Sequence, residues 1–342
     1  MVNTPHLGWR HEQGMTPAEP VGSPRPPAHR KSTSKIYVGF TIFVAAVVAL
    51  VITVVFVKPW APKLTPGTQS EHYLGVYEPD APGSYNGINQ FAQAIGRQPN
   101  LVSYYSSWLE PFAAGFARTA AEHGAVTVVQ IDPENVSLAS IAAGKYDAYL
   151  QSYAADVKAF GGQLVLSFGH EMNGNWYSWA YQHTAPKVFV AAWRHVVIVF
   201  RTAGASNVKW LWTVNVITAQ SVLVANPAPW WPGSSFVNWV GLDGYYYSPL
   251  TSFYQVFGPT IVAVRQLTRD PVLISETGAL PGIGQQAKIT DLFSGVSAFD
   301  LLGFMWFDED FAGQDWRITS RQVLNTFRQD ARAYLRPATA AG

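Results

Sequence analysis

Gln163 to Glu171 reads QLVLSFGHE. An apolar run ends at Phe168, and a glycine, a histidine and a glutamate follow at once. A short apolar run closed by a turn residue fits a strand buried on both faces. The His-Glu pair then stands where such a strand leaves the core, with Trp176, Tyr177 and Trp179 just beyond it.

The same pattern recurs along the chain. Apolar runs stand at YLGVY (73–77), LVSYY (101–105), AVTVVQI (125–131), QLVLSF (163–168), VKWLWTV (208–214), WVGLD (239–243), PVLIS (271–275) and LLGFMWF (301–307). Helix-length segments separate them, most clearly at 146–160, 186–202, 254–267 and 320–334. In the second of these, Val188, Ala191, Ala192, His195 and Val199 keep roughly helical spacing. The stretch around NPAPWWPG, after the fifth run, reads as loop. Eight strands alternating with helices over about 250 residues predict an α/β fold, the (β/α)8 TIM barrel. An open doubly wound sheet would place a glycine-rich phosphate turn after an early strand, and GVYEPDAPG contains no G-x-G-x-x-G.

A barrel of this kind carries its chemistry at the C-terminal ends of its strands. Eight glutamates follow residue 57, and two of them stand at such ends: Glu171 after the fourth run and Glu276 after the seventh, in PVLISETG. Two carboxylates in one mouth are the equipment of glycoside hydrolysis, where one group protonates the leaving oxygen and the other acts at the anomeric carbon. Aromatic rings offer flat platforms to the C–H faces of sugars. Trp176, Tyr177 and Trp179 follow the fourth run, Trp212 lies in the fifth, Tyr245, Tyr246 and Tyr247 follow the sixth, and Trp306 is near the end of the eighth.

Composition narrows the field. The chain has 342 residues, a net charge of +1, and no cysteine, which removes disulfides, thiol catalysis and thiolate metal sites. Nothing in the charge balance argues for nucleic acid. Charged residues make up 13 %, about half the usual share, whereas aromatics reach 14 % with thirteen tryptophans. No metal or other cofactor is expected. A zinc site of the HExxH kind needs a histidine where Gly174 stands, and His183 and His195 are isolated. The acidic loop DEDFAGQD, with Asp308, Glu309, Asp310 and Asp315, reads as a solvated loop rather than a Ca²⁺ site. A serine nucleophile would call for a G-x-S-x-G elbow, which is missing.

The N-terminal part is of another kind. Residues 36–57, IYVGFTIFVAAVVALVITVVFV, carry no charge. As a helix they would span roughly 33 Å, enough for a hydrocarbon core of about 30 Å. Arg10, Arg25, Arg30, Lys31 and Lys35 precede this run, and Lys58 and Lys63 follow it. The bias predicts a single transmembrane anchor with its N-terminus in the cytoplasm and the large C-terminal part outside. Residues 1–35, rich in Pro, His, Arg and Ser, are expected to be a disordered cytoplasmic tail. Residues 58–70 form a Pro/Gly linker, 71–337 the barrel, and 338–342 a short tail.

The motifs GHEMNGNWYSW, VGLDGYYY, LISETG and MWFDEDFAGQDWRI resemble those of the family 26 glycoside hydrolases, in order and over about residues 73–334. That resemblance implies a retaining (β/α)8 enzyme acting on β-mannan, mixed-linkage β-glucan or β-1,3-xylan. It implies Glu171 as acid/base, Glu276 as nucleophile, and His170, Trp176, Tyr245 and Trp306 as substrate-binding residues. Among the three consecutive tyrosines the one that contacts the nucleophile is left open by one place. The DWRI block leans toward the β-glucanase-like branch. The expected partner is a β-linked polysaccharide. Two other readings of the same residues are a non-catalytic carbohydrate-binding protein and a transglycosylase trimming a polysaccharide at the membrane.

Overall fold

In the computed structural model, residues 72–217, 223–282 and 284–334 are described. The expected tail, anchor and linker (1–35, 36–57 and 58–70) lie outside them, as does 338–342. Among the described residues no helix is long and apolar enough to cross a membrane.

Eight parallel strands close into a barrel in the order β1-β2-β3-β4-β5-β6-β7-β8. They are β1 (Tyr73–Tyr77), β2 (Leu101–Ser107), β3 (Val126–Asp132), β4 (Leu164–Phe168), β5 (Val208–Asn215), β6 (Trp239–Asp243), β7 (Val272–Thr277) and β8 (Gly303–Phe307). The helices are α1 (Asn86–Ile95), α2 (Ala114–Glu122), α3 (Leu138–Ala142), α4 (Asp147–Phe160), α5 (Pro186–Ala203), α6 (Phe253–Arg265), α7 (Gln285–Ala298) and α8 (Arg321–Tyr334). Between β5 and β6 the described residues form only 3₁₀ turns, at Ala228–Trp230 and Ser234–Phe236, as the proline-rich sequence foretold. A two-stranded hairpin, β9 (Asp310–Phe311) with β10 (Gln314–Asp315), follows β8.

The interior is layered, because alternate residues of each strand point inward. The bottom layer is apolar: Tyr73, Leu101, Val128, Val165, Leu211, Trp239, Leu273 and Met305, one from each strand. Gly75 makes this possible, since a Cβ there would lie 2.6 Å from the Met305 side chain. Two residues further along, the layer turns polar. Ser167 and Thr213 hydroxyls meet at 3.1 Å, and the Ser275 hydroxyl donates to Asp243 at 2.6 Å. Gly241 sits between them, where a Cβ would meet Ser275 and Thr213 oxygens at 2.5 and 2.7 Å. Two residues further still, at the C-terminal mouth, stand Tyr77, Tyr105, Asp132, Asn215, Asp243 and Phe307. The core therefore grades from hydrocarbon to carboxylate within one strand length.

Trp306 departs from expectation. Met305 and Phe307 take the inward positions of β8, so Trp306 points out of the barrel. It is 1 % exposed, packs edge-on against Phe327 of α8 at 6.0 Å, and donates its Nε1–H to the Trp316 carbonyl. It is a packing residue between barrel and helix layer, not a sugar platform.

Candidate active site

Glu171 hangs from a strained turn. Gly169 and Glu171 both have positive φ, 57° and 51°. For a glutamate that conformation costs about 1–3 kcal/mol and persists only where surrounding bonds over-determine it. Those bonds are present. Gly169 N–H donates to the Ile131 carbonyl and Glu171 N–H to the Thr213 carbonyl, so the turn remains pinned to both neighbouring strands. Asn173, fully buried, clasps β5: it accepts from Asn215 N–H at 2.8 Å and donates to the carbonyls of Asn215 and Ala225. Gly174 clears space for an indole, since a Cβ there would lie 2.3 Å from the Trp176 ring. Trp176 can then donate Nε1–H to Glu171 Oε2 at 2.7 Å. Asn215 donates to the other oxygen at 2.5 Å.

Glu276 is aimed by a different device. Leu273 and Ser275 face inward on β7, so simple alternation would turn Glu276 outward. The register shifts here against both neighbours: Asp243 pairs with Glu276, and Thr277 pairs with Trp306. That bulge turns two successive side chains, Ser275 and Glu276, toward the mouth. Tyr105 donates its hydroxyl to Oε1 and Tyr245 donates to Oε2 at 2.8 Å. The open choice among the tyrosines thus falls on Tyr245. Tyr246 is buried beside Phe257, and Tyr247 is 56 % exposed.

The two glutamates and Asp243 each bring a carboxylate oxygen within 4.8 Å of the others. Every oxygen of the glutamates accepts a protein N–H or O–H, an arrangement suited to proton transfer rather than to caging a cation. Electrostatics separates the three groups. Burial and then the Glu276 charge push Glu171 up to about 7, against the opposing influence of His170, Asn215 and Trp176. Burial also raises Glu276, but His170, Tyr105 and Tyr245 pull it back. Asp243 is pushed well up by burial and by both glutamates; one oxygen takes the Ser275 hydroxyl and the other has no partner among the described residues. All three causes act in one direction, against its charged form.

His170 also departs from expectation. It was expected to touch sugar, yet both ring nitrogens are spent on protein: Nδ1 on Asp132 and Nε2 on the Tyr177 hydroxyl, each at 2.8 Å. Tyr177 and Trp179 stack at 4.2 Å, and Trp179 donates to the His170 carbonyl. Those two rings brace the histidine; Trp212 is buried against Trp231. The acidic loop is the β9–β10 hairpin, pinned by Arg317 to Asp315 and Asp310. Trp316, on its return arm, lies 4.6 Å from the Tyr245 ring. Sequence reasoning missed Tyr105, Asp132, Asn215 and Asp243. Each lies at the inward register of its strand end, and applying that rule to every strand rather than only to glutamates would have found them.

A closed parallel barrel with two buried glutamates facing each other across its C-terminal mouth is an architecture of glycoside hydrolases. Comparison with known proteins agrees. The sequence model of glycosyl hydrolase family 26 matches residues 139–295. Endoglucanase H of Acetivibrio thermocellus is 30 % identical over 266 residues, which is 72 % of this chain; the chain spans only 29 % of that protein's length. Among solved structures, a family 26 β-mannanase of Bacteroides ovatus covers 78 % of this chain and 90 % of its own at 14 % identity, with a TM-score of 0.57. An endo-β-1,4-mannanase catalytic domain of Bacillus sp. JAMB-750 covers 78 % and 86 % at 15 % identity and 0.59. At such identities the structural likeness speaks for the fold alone. The chain belongs to glycosyl hydrolase family 26.

Proposed function

We propose that the protein is a retaining endo-β-glycosidase that cleaves a β-linked polysaccharide by double displacement. The observation that carries this reading is the approach of Glu171 and Glu276 oxygens to within 4.8 Å. Retaining enzymes hold their carboxyl groups about 5–5.5 Å apart, whereas inverting enzymes need about 6.5–9.5 Å to admit a water.

Glu276 attacks the anomeric carbon as its carboxylate, oriented by the Tyr105 and Tyr245 hydroxyls. Glu171, protonated near neutrality, gives its proton to the departing oxygen. The glycosyl ester that results carries no charge at Glu276. The second cause of Glu171's raised pKa is then gone, and Glu171 can ionise to deprotonate the incoming water. Burial, the larger cause, persists, so the switch is a shift in balance rather than a full release.

The 30 % identical relative is named an endoglucanase, while the mannanases share the fold at 14–17 % identity. Mixed-linkage β-glucan is accordingly the first substrate to try, and β-mannan the second. Release of reducing ends from barley β-glucan, mannan, xylan and cellulose, with an α-glucan as control, tests the reading. Cleavage of the α-linked polymer alone would reject it. Residues 36–57 anchor this activity in a membrane, with the barrel on the outer side. Recovery of the full chain in the supernatant after alkaline extraction of membranes would reject the anchor.

A further inference from the structure

Asp132 ends β3 and is 2 % exposed. A lone buried carboxylate is costly, so its partner matters. That partner is Nδ1 of His170, itself 3 % exposed, at 2.8 Å. The backbone enforces the meeting: Gly169 N–H bonds to the carbonyl of Ile131, next to Asp132, and the positive φ of Gly169 swings His170 back over β3. Tyr177 takes the Nε2 side, leaving the ring no freedom to flip away. Asp132 accepts from Nδ1, and the Tyr177 hydroxyl can accept from Nε2, so the site offers each N–H of a doubly protonated ring a partner.

Resting on the double-displacement reading above, we propose that Asp132 is a positioning residue of the reaction: it fixes the His170 ring as a buried cation whose charge keeps Glu276 ionised for attack. Other charged or titratable groups facing that ring are Glu134, Glu171, Glu276, Tyr105 and Tyr177. Burial alone would push His170 down, but Asp132, with Glu276 and Glu171, outweighs it and holds the imidazolium up to about 9. In turn His170 is the foremost influence that lowers Glu276 against burial, while the direct effect of Asp132 on Glu276 is opposite in sign and ranks last.

The sign of a test follows. Asp132→Asn keeps the shape and an acceptor oxygen but removes the counter-charge, so the buried ring goes neutral near pH 7. Glu276 then loses its cation and Glu171 loses an influence that lowers it, so both rise. The bell of kcat/KM on β-glucan, measured with the full chain, is expected to move upward by about one pH unit on both limbs. His170→Gln should shift it by a similar amount, and adding D132N to H170Q should shift it little further, because the two act as one unit. A D132N profile that is lower but unmoved, or a shift that adds in full to that of H170Q, overturns the inference. A second readout needs no variant beyond an assignment control. In the histidine-¹⁵N-labelled unaltered chain at pH 7, one ring whose signals vanish in H170Q should show both nitrogens protonated; a neutral tautomer there also overturns it. An inactive chain overturns the function of the preceding section, whereas an active chain whose profile ignores Asp132 overturns this inference alone.

Discussion

The turn after β4 and the end of β7 present the same residue type to the same cavity by opposite means. Glu171 rides on a non-glycine left-handed backbone and is held by nitrogen donors, the Trp176 indole and the Asn215 amide. Glu276 lies within a strand, turned by a bulge, and is held by two phenols with a histidine cation nearby. Burial raises both. His170 is the leading counterweight for both; what divides them is that Glu171 also feels the Glu276 charge. In the proposed mechanism the acid and the nucleophile are therefore made by their surroundings rather than by their identity.

The comparison breaks first at Glu276, the proposed nucleophile. Glu276→Gln should reduce turnover on β-glucan by on the order of 10⁴-fold or more, since no carboxylate remains to form the ester, while polysaccharide binding by affinity electrophoresis survives. Appreciable turnover in that variant would remove Glu276 from the role. Glu171→Ala should behave differently. A loss of about 10²–10⁴-fold is expected on polysaccharide, but much less on the glycosylation of an aryl glycoside whose leaving group needs no proton. Added azide should restore the second step by attacking the ester without a base. Equal losses on both substrates, with no azide response, would erase the distinction between the two glutamates.

Tyr245→Phe removes one charge-assisted donor from Glu276, worth about 1.5–3 kcal/mol, or roughly 10–100-fold in kcat/KM. The acid limb of the pH profile should rise with it, because that hydroxyl lowers Glu276. Trp176→Phe acts on the other carboxyl. Losing its N–H leaves Glu171 higher than about 7, so the alkaline limb should move up while the acid limb stays. An alkaline limb that fell would show the indole acting on the sugar instead.

These contrasts were only half legible in the chain. Eight apolar runs located the barrel, and two glutamates at strand ends pointed to its candidate site, because burial and alternation leave strong one-dimensional traces. The structure placed Glu276 inside β7 rather than after it, since a bulge adds a residue to a strand without any composition mark. The donors were harder still. Tyr105, Asn215 and Asp132 sit in ordinary strand sequence, and only the inward register distinguishes them. The motif HEMNGNW, by contrast, dissolves into separate physical tasks: a proposed cation at His170, a proposed proton carrier at Glu171, a backbone clasp at Asn173, a clearance at Gly174 and a donor at Trp176.

Trp306 provides the smallest expected effect on catalysis and so the sharpest control. A ring at a strand end beside the mouth looked like a platform, but the register of Met305 and Phe307 puts it against α8. Trp306→Phe should therefore lower the melting temperature, through lost packing and the lost bond to the Trp316 carbonyl, and leave KM on β-glucan within about twofold. Thermal unfolding and initial rates on the same preparation check both halves. A selective rise in KM with unchanged stability would mean that β8 is read one residue out of register, and with it the inward set that places Tyr77 and Phe307 beside the glutamates.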